Sequence, residues 1–320
     1  MPTIVPAEGA ILEHILETTY PSRHDGLSRR AFANRDIALR STPWALRHEQ
    51  RFALVEGTNV LASAQRQELT ATLDGRVVRA CGISGVFVEP GDGDSHEEEL
   101  VERLLDGARA DHEIALLWIP AHQRSRAPAG FEPIPTLDVE LRVAESPRHG
   151  APMTLVRGGE DRDLAAIVAM GNVCASQFRF HLNRDVDFVK YAITRKRLLA
   201  GLGPAGVRQL QFVIAEEGIT AAAYVVMSVA GSTWTIEECG DRDTSAARVG
   251  AILQALIARE PAERRPVIRG WLPSRLVPPQ VTILSAQPSE EVVMVKVLSA
   301  TMEPPRPSAA DVLYWRSDIF

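Results

Sequence analysis

Two β-rich runs, residues 60–73 and 76–88, are separated by Asp74-Gly75 alone. An Asp-Gly pair accepts the two consecutive left-handed conformations of a tight hairpin turn, whose twist matches that of the strands it joins. This stretch is therefore expected to be a long antiparallel hairpin, with the rest of the fold arranged on its sheet. Phe52-Ala-Leu-Val-Glu-Gly57 reads as a short strand ending in a turn, which makes the hairpin a meander. Upstream, Ile11, Leu12, Ile15 and Leu16 fall at helical spacing, and Pro21 with the polar Ser22-Arg-His-Asp-Gly26 closes that helix. Downstream, Leu100, Leu104 and Leu105 mark a helix ending near Ala110. Residues 114–119 then form an apolar strand and 133–143 one more extended run. A meander followed by strand, crossover helix and strand implies a mixed sheet with helices on its faces, an α/β architecture.

The same order recurs. Residues 142–152 are polar and rich in Pro and Gly, the best linker in the chain, and divide it into domains 1–145 and 146–320. Helices are expected over 160–173 and 186–199. Strands follow at 210–216, 219–229 and 233–238, with Gly218 and Gly231 at their turns. A helix over 245–259 and a strand over 267–272 complete the second copy. The repeat is one of architecture, without residue-level identity between the halves. A strand at 292–298 and a helical turn over 309–315 end the chain. At 320 residues there is enough chain to bury two cores of ordinary size.

The net charge of −6 and pI of about 5.8 argue against nucleic acid or anionic membrane as the main partner, since either needs a basic face. Cys81, Cys174 and Cys239 lie far apart within apolar stretches, so reduced, buried thiols in a cytoplasmic protein are expected. The first nine residues lack a basic segment followed by an apolar run, and no run reaches the roughly 18 apolar residues of a membrane span. Neither a signal peptide nor a membrane anchor is expected.

Five segments, in this order and spacing, resemble tandem-domain N-acetyltransferases of the GNAT superfamily, specifically those related to the enhanced-intracellular-survival acetyltransferases. They are Cys81-Gly-Ile-Ser-Gly-Val-Phe-Val-Glu-Pro90, Ala129-Gly-Phe-Glu-Pro133, Trp234-Thr-Ile-Glu-Glu-Cys-Gly240, Val293-Met-Val-Lys-Val-Leu298 and Tyr314-Trp-Arg-Ser-Asp-Ile-Phe320. The resemblance covers the chain from about Ile11 to Phe320. It implies two GNAT-like domains in tandem and acyl transfer from acetyl-CoA to an amine, on a small molecule or a protein. It also implies that backbone N–H groups of Val86, Phe87 and Val88 grip the thioester. The following loop, with the helix start behind it, would hold the pyrophosphate.

That loop departs from the pattern. Matched from Pro90, the family's arginine falls on Gly93, and the backbone-exposing positions fall on Asp94, Ser95 and His96. Asp92, Asp94, Glu97, Glu98 and Glu99 surround the would-be pyrophosphate with carboxylates and no cation. Each is unfavourable by up to about 1 kcal/mol when solvated and by more when desolvated, so several together could erase the roughly 8 kcal/mol of a micromolar complex. The same residues make a good helix start, Ser95 as cap and Glu98 three residues on. A hard-cation site is the sharper alternative, but the run lacks the full calcium-loop pattern and no metal is expected.

The family's acid, a tyrosine, falls on Arg126, and no tyrosine occurs between Tyr20 and Tyr191. A guanidinium cannot donate a proton at neutral pH, although Arg124 or Arg126 could hold an anion. The base implied by the resemblance is the C-terminal carboxylate, here on Phe320. His24 and Asp25 fall where relatives line the acceptor cleft, or are merely solvated. Glu237, a further candidate for the substrate side, and Glu238 end a strand in the second half; one of them must face inward if the strand is regular, and pairing with an arginine such as Arg269 is the plainer reading. Trp44, Trp234, Trp271 and Trp315 read as core. Three readings stay open: an acyl-CoA-dependent N-acyltransferase, a degenerate relative kept as a binding or scaffold module, or the fold reused for another ligand. Oligomeric state is not readable.

Overall fold

The computed structural model describes residues 1–89, 95–122, 127–144, 154–303 and 305–318. In chain order the first elements are β1 (Thr3–Pro6), α1 (Gly9–Arg23), α2 (Arg29–Arg40), α3 (Pro43–His48), β2 (Glu49–Glu56), β3 (Asn59–Leu73) and β4 (Arg76–Val88). Then come α4 (Ser95–Ala108), β5 (Ile114–Pro120), β6 (Glu132–Ile134), β7 (Leu137–Val143), β8 (Leu155–Gly158), α5 (Leu164–Ala175), β9 (Phe180–Leu182) and α6 (Val186–Leu202). The remainder is β10 (Arg208–Glu217), β11 (Thr220–Ala230), β12 (Thr233–Asp241), α7 (Ala247–Ile257), β13 (Val267–Trp271), β14 (Val281–Pro288), β15 (Glu291–Val297) and β16 (Val312–Leu313).

The hairpin forms as expected: Asp74 and Gly75 both take positive φ, 50° and 78°, and β3 pairs antiparallel with β4 down to Leu73↔Arg76. Helix α1 runs two residues past the proline expected to close it, because its last turn is tied down by Arg23, which bonds to β4. Helices α2 and α3 were not foreseen. Nothing in α2 is buried, so it carries no apolar period to read.

The chain forms two compact units, each a mixed sheet flanked by helices. The first comprises Met1–Ile134 and Glu290–Arg306. Its strands run β1-β2-β3-β4-β5-β15-β6, antiparallel except for the parallel β4–β5 pair. Leu100, Val101, Leu104 and Leu105 of α4 pack with Cys81, Ile83, Leu117 and Met294 of the sheet. The second comprises Pro135–Ser289 and the tail from Pro307. Its order is β8-β10-β11-β12-β13-β7-β14, again with one parallel pair, β12–β13. Gly218 (φ +65°) and Gly231 (φ +57°) sit at its turns, as read from the sequence. Helix α7 buries Val249, Ile252, Leu253 and Leu256 with Val225, Met227 and Ile236.

The units are not the continuous segments 1–145 and 146–320. Each sheet takes the strand between its fifth and last members from the other half of the chain: β15 lies between β5 and β6, and β7 between β13 and β14. A polar linker after β7 marks exposed chain; it does not decide which sheet adopts the strand before it.

Candidate functional site

In the first unit β4 and β5 pair from Ala80↔Ile114 to Ile83↔Leu117 and then part. On its other side β4 pairs Ser84 with Gln65 and Phe87 with Ser63, so Gly85 and Val86 together oppose Ala64 in a bulge. Gly85 has φ +61°, which favours glycine, and a Cβ there would stand only 3.2 Å from Arg23 Nη1 and 3.3 Å from Gln65 Oε1. Arg23, the last residue of α1, fastens this bulge. Its Nη1 donates to the Gly85 carbonyl at 2.8 Å and its Nη2 to the Val86 carbonyl at 2.5 Å, beside the Phe87 ring. Burial, and then Arg51, lower the Arg23 pKa to about 10.

The direction of the backbone follows from these bonds. Glu89 N–H donates to Leu61 O at 2.9 Å, and antiparallel pairing alternates, so Phe87 turns its N–H to β3 and Val88 turns its own away. Of the residues expected to grip a thioester, Val88 presents an N–H where β5 has left the pairing. Val86 presents its carbonyl, already held by Arg23, and Phe87 pairs with β3. All three are half-buried.

Helix α4 begins on Ser95 itself, which is exposed, so Ser95 is the first residue of the helix and not the cap expected before it. Gly93 and the aspartates beside it lie outside the described residues, as do Arg124, Arg126 and Phe320. Glu97 and Glu98 occupy the first turn, and an open groove of about 280 Å³ runs along Ser95, Glu98, Glu99, Glu102, Arg103 and Asp106. Among the described residues its one cation, Arg103, bonds to Glu99 at 2.5 Å and to the Pro2 carbonyl at 2.8 Å. His24 follows Arg23 directly: its Nδ1 accepts from Gly26 N–H at 2.9 Å, and its ring lies 5.3 Å from that of Tyr20. Asp25 has φ 51° and stands 3.6 Å from Arg35. Both belong to the turn that ends α1. The tail is anchored up to the last described residue, with Tyr314, Trp315, Ser317 and Asp318 all buried.

The second unit repeats the device with different contents. β12 and β13 part after Ile236↔Gly270, and Glu237 is the extra residue of a bulge between Met227↔Ile236 and Val226↔Glu238. The bulge breaks the alternation of a regular strand, so Glu237 and Glu238 are both buried. Ser228 donates to Glu237 at 2.6 Å, and Lys196 Nζ lies 2.8 Å from its other oxygen. Burial alone would raise the Glu237 carboxyl; Lys196 and Ser228 hold it below its usual value. Glu238 accepts from Arg184 at 2.5 Å and from Ser317 at 2.6 Å. Arg269, the expected partner, instead reaches Glu140 at 3.4 Å on an exposed face.

The turn into α7 is filled as well. Asp241 accepts from Asp243 N–H (2.9 Å), Arg248 N–H (2.8 Å) and Arg248 Nη1 (3.0 Å), so an internal carboxylate takes the place that a helix start offers an anion. Arg23, Lys196 and Asp241 were missed in the sequence because each acts through partners that only the fold brings near. Cys81, Cys174 and Cys239 are buried free thiols, and burial raises the pKa of each. No helix is long and apolar enough to cross a membrane among the described residues.

No protein-family model and no curated protein matches the sequence. The fold has clear relatives. A GCN5-related N-acetyltransferase from Anabaena variabilis is 13% identical, with 93% of this chain and 73% of that one covered at a TM-score of 0.67. Eis1 from Mycobacterium abscessus, an enhanced intracellular survival acetyltransferase, is 12% identical over 93% and 74% at 0.56. N-myristoyltransferase from Saccharomyces cerevisiae, with bound myristoyl-CoA, is 11% identical over 92% and 82% at 0.51. The chain has the tandem GNAT fold, as the resemblance implied.

Proposed function

We propose that the first unit transfers an acyl group from an acyl-CoA to an amine. The observation that carries this reading is the gap opening past Ile83↔Leu117, with the Val88 N–H turned into it and Arg23 fixed on the adjacent carbonyls. Val88 donates to the thioester carbonyl, which polarises the carbon that the amine attacks. The new C–N bond forms, the C–S bond breaks, and coenzyme A leaves as its thiolate while the amine proton passes to a base. That base is the carboxylate of Phe320, as the resemblance implies, with His24 and Asp25 on the acceptor side. The second unit is not a second acyl-CoA site, because Glu237 with Lys196 and Asp241 with Arg248 fill its matching positions.

Isothermal titration with acetyl-CoA and with a longer acyl-CoA tests the reading. Saturable binding is expected, weakened at least tenfold by Val88→Pro, which deletes the gap-facing N–H and no bond to β3. No saturable heat up to about 1 mM, a range that still detects 4 kcal/mol of binding, sinks it. A second reading is favoured by the acidic groove along α4: a GNAT-fold binding module that has lost acetyl-CoA. Turnover of acetyl-CoA by the unaltered protein with any amine removes that alternative.

A further inference from the structure

Arg23 is a half-buried cation without a counter-ion among the described residues. Its guanidinium donates to the Gly85 and Val86 carbonyls and makes no ion pair there. The carboxylates of the surrounding elements are each engaged elsewhere. Glu49 accepts from Gln65 at 3.1 Å, and Asp36 accepts from Arg51 and Arg40 at 2.8 Å. Asp25 stands 3.6 Å from Arg35, and Glu89 stands 3.1 Å from His14. Burial, and then the like charge of Arg51, act against the Arg23 cation. A charge withdrawn from water is costly unless an opposite charge meets it, and two carbonyl dipoles do not amount to one.

This charge stands at the gap between β4 and β5. The Val86 carbonyl and the Phe87 N–H belong to one planar trans peptide and point opposite ways. The N–H turns to β3, so the carbonyl that Arg23 holds turns into the gap, beside the Val88 N–H. Two N–H groups of the guanidinium are used there, and the rest of its planar fork is left for a ligand.

The second unit contains the same arrangement with its anion supplied. Lys196 reaches the bulge of β12 from α6, as Arg23 reaches that of β4 from α1. Each of these helices lies on the sheet face away from α7 or α4: α6 packs on Ile214 and α7 on Val213, α1 on Ala53 and α4 on Leu54. The extra residue of the β12 bulge is Glu237, so the chain itself gives the cation a carboxylate. The β4 bulge is Gly85 with Val86, and no carboxylate comes with it.

We infer that Arg23 binds a carboxylate carried by a substrate of the first unit. The fork of a guanidinium matches the two oxygens of a carboxylate, which a lysine does not. The carboxylate belongs to the acyl group, as in succinyl-CoA, or to the acceptor, as in an amino acid. Its assignment to a substrate rests on the acyl-transfer reading; the anion site itself does not.

Calorimetric titration of the full chain with two pairs of ligands tests it. The pairs are N-acetylglycine with N-acetylglycinamide, which need no coenzyme A, and succinyl-CoA with acetyl-CoA. In at least one pair the carboxylate is expected to bind about tenfold more tightly or better. Preference in the first pair alone puts the carboxylate on the acceptor, and preference for succinyl-CoA puts it on the acyl group. Arg23→Met is expected to remove the preference, and Arg23→Lys to keep part of it, since the charge stays and the fork goes. Because Arg23→Met also loosens the bulge, the unaltered chain gives a second reading. The preferred carboxylate slows phenylglyoxal labelling of Arg23 severalfold, followed by peptide mass, and its neutral partner does not. Preference in the first pair with no binding of either acyl-CoA keeps the carboxylate site and removes the acyl-transfer reading. Equal affinities within both pairs overturn the inference. So does a preference that survives Arg23→Met, and so does no saturable binding of either carboxylate at about 10 mM.

Discussion

Arg23 holds two carbonyls of one bulge with two nitrogens of one planar group, a geometry that lysine can satisfy only in part. Arg23→Met leaves both carbonyls without a donor in a half-buried gap, at about 1–3 kcal/mol each. Urea unfolding is expected to show a loss of roughly 2–6 kcal/mol, with Arg23→Lys recovering part of it. Nothing near Arg23 in the sequence signals this role, because its partners lie 62 and 63 residues away and its neighbours read only as a helix end. Asp318 gives a second measurable consequence. Its carboxyl is raised to about 6 in the fold, from about 3.9 in an unfolded chain. The folded state therefore binds this proton more tightly. The stability it contributes is complete below about pH 4 and lost as pH rises through about 6. Two units correspond to about 3 kcal/mol, so urea midpoints are expected to decline from about pH 4 to 6 and level off above it, and Asp318→Asn to flatten that decline.

What could be read at the scale of elements was whatever local chemistry decides. Asp74-Gly75 and the glycines at 218 and 231 name their turns, because only certain residues accept positive φ. Both three-strand meanders and helices α4 to α7 follow from apolar period. The bulges were invisible: a strand of β-rich residues does not declare where one residue is extra, so the burial of both Glu237 and Glu238 could not be foreseen. The start of α7 was equally hidden. Ala246, in the left-handed region, precedes it without a side-chain cap, and Asp241 satisfies Arg248 N–H from the end of β12. Asp241→Ala removes the acceptor of two backbone N–H groups and of Arg248, a loss of about 2–3 kcal/mol, or roughly 5–10 °C in melting temperature. The freed N–H groups and Arg248 then form an anion site. Sulfate in a thermal-shift titration is expected to recover part of the loss in the variant and to leave the unaltered protein unchanged. Equal responses from both would mean that Asp241 does not occupy an anion position.

At the scale of the whole molecule the sequence shows two similar halves but not the exchange that joins them. β7 and β15 each complete the sheet of the other half: β7 alternates apolar with charged residues and β15 is mostly apolar, but neither pattern says which sheet the strand joins, and both begin shortly after the one before ends. The exchange has a thermodynamic consequence. β15 buries Val293, Met294 and Val295 almost completely in the first unit, which at about 1.5–3 kcal/mol each is roughly 5–9 kcal/mol. A domain's whole stability is about 5–15 kcal/mol. Removing β15 also leaves β6 with no neighbour and β5 with a bare edge. Dividing the chain after residue 149 gives a first fragment that keeps β7 but lacks β15, and a second that keeps β15 but lacks β7. Expressed alone, each is expected to give the amide spectrum of an unfolded or aggregated chain. Expressed together, they are expected to form a one-to-one complex with the dispersed spectrum of the intact protein, since each carries a strand that the other's sheet requires. A first fragment that folds cooperatively by itself would show that its sheet closes without β15 and that the exchange is dispensable.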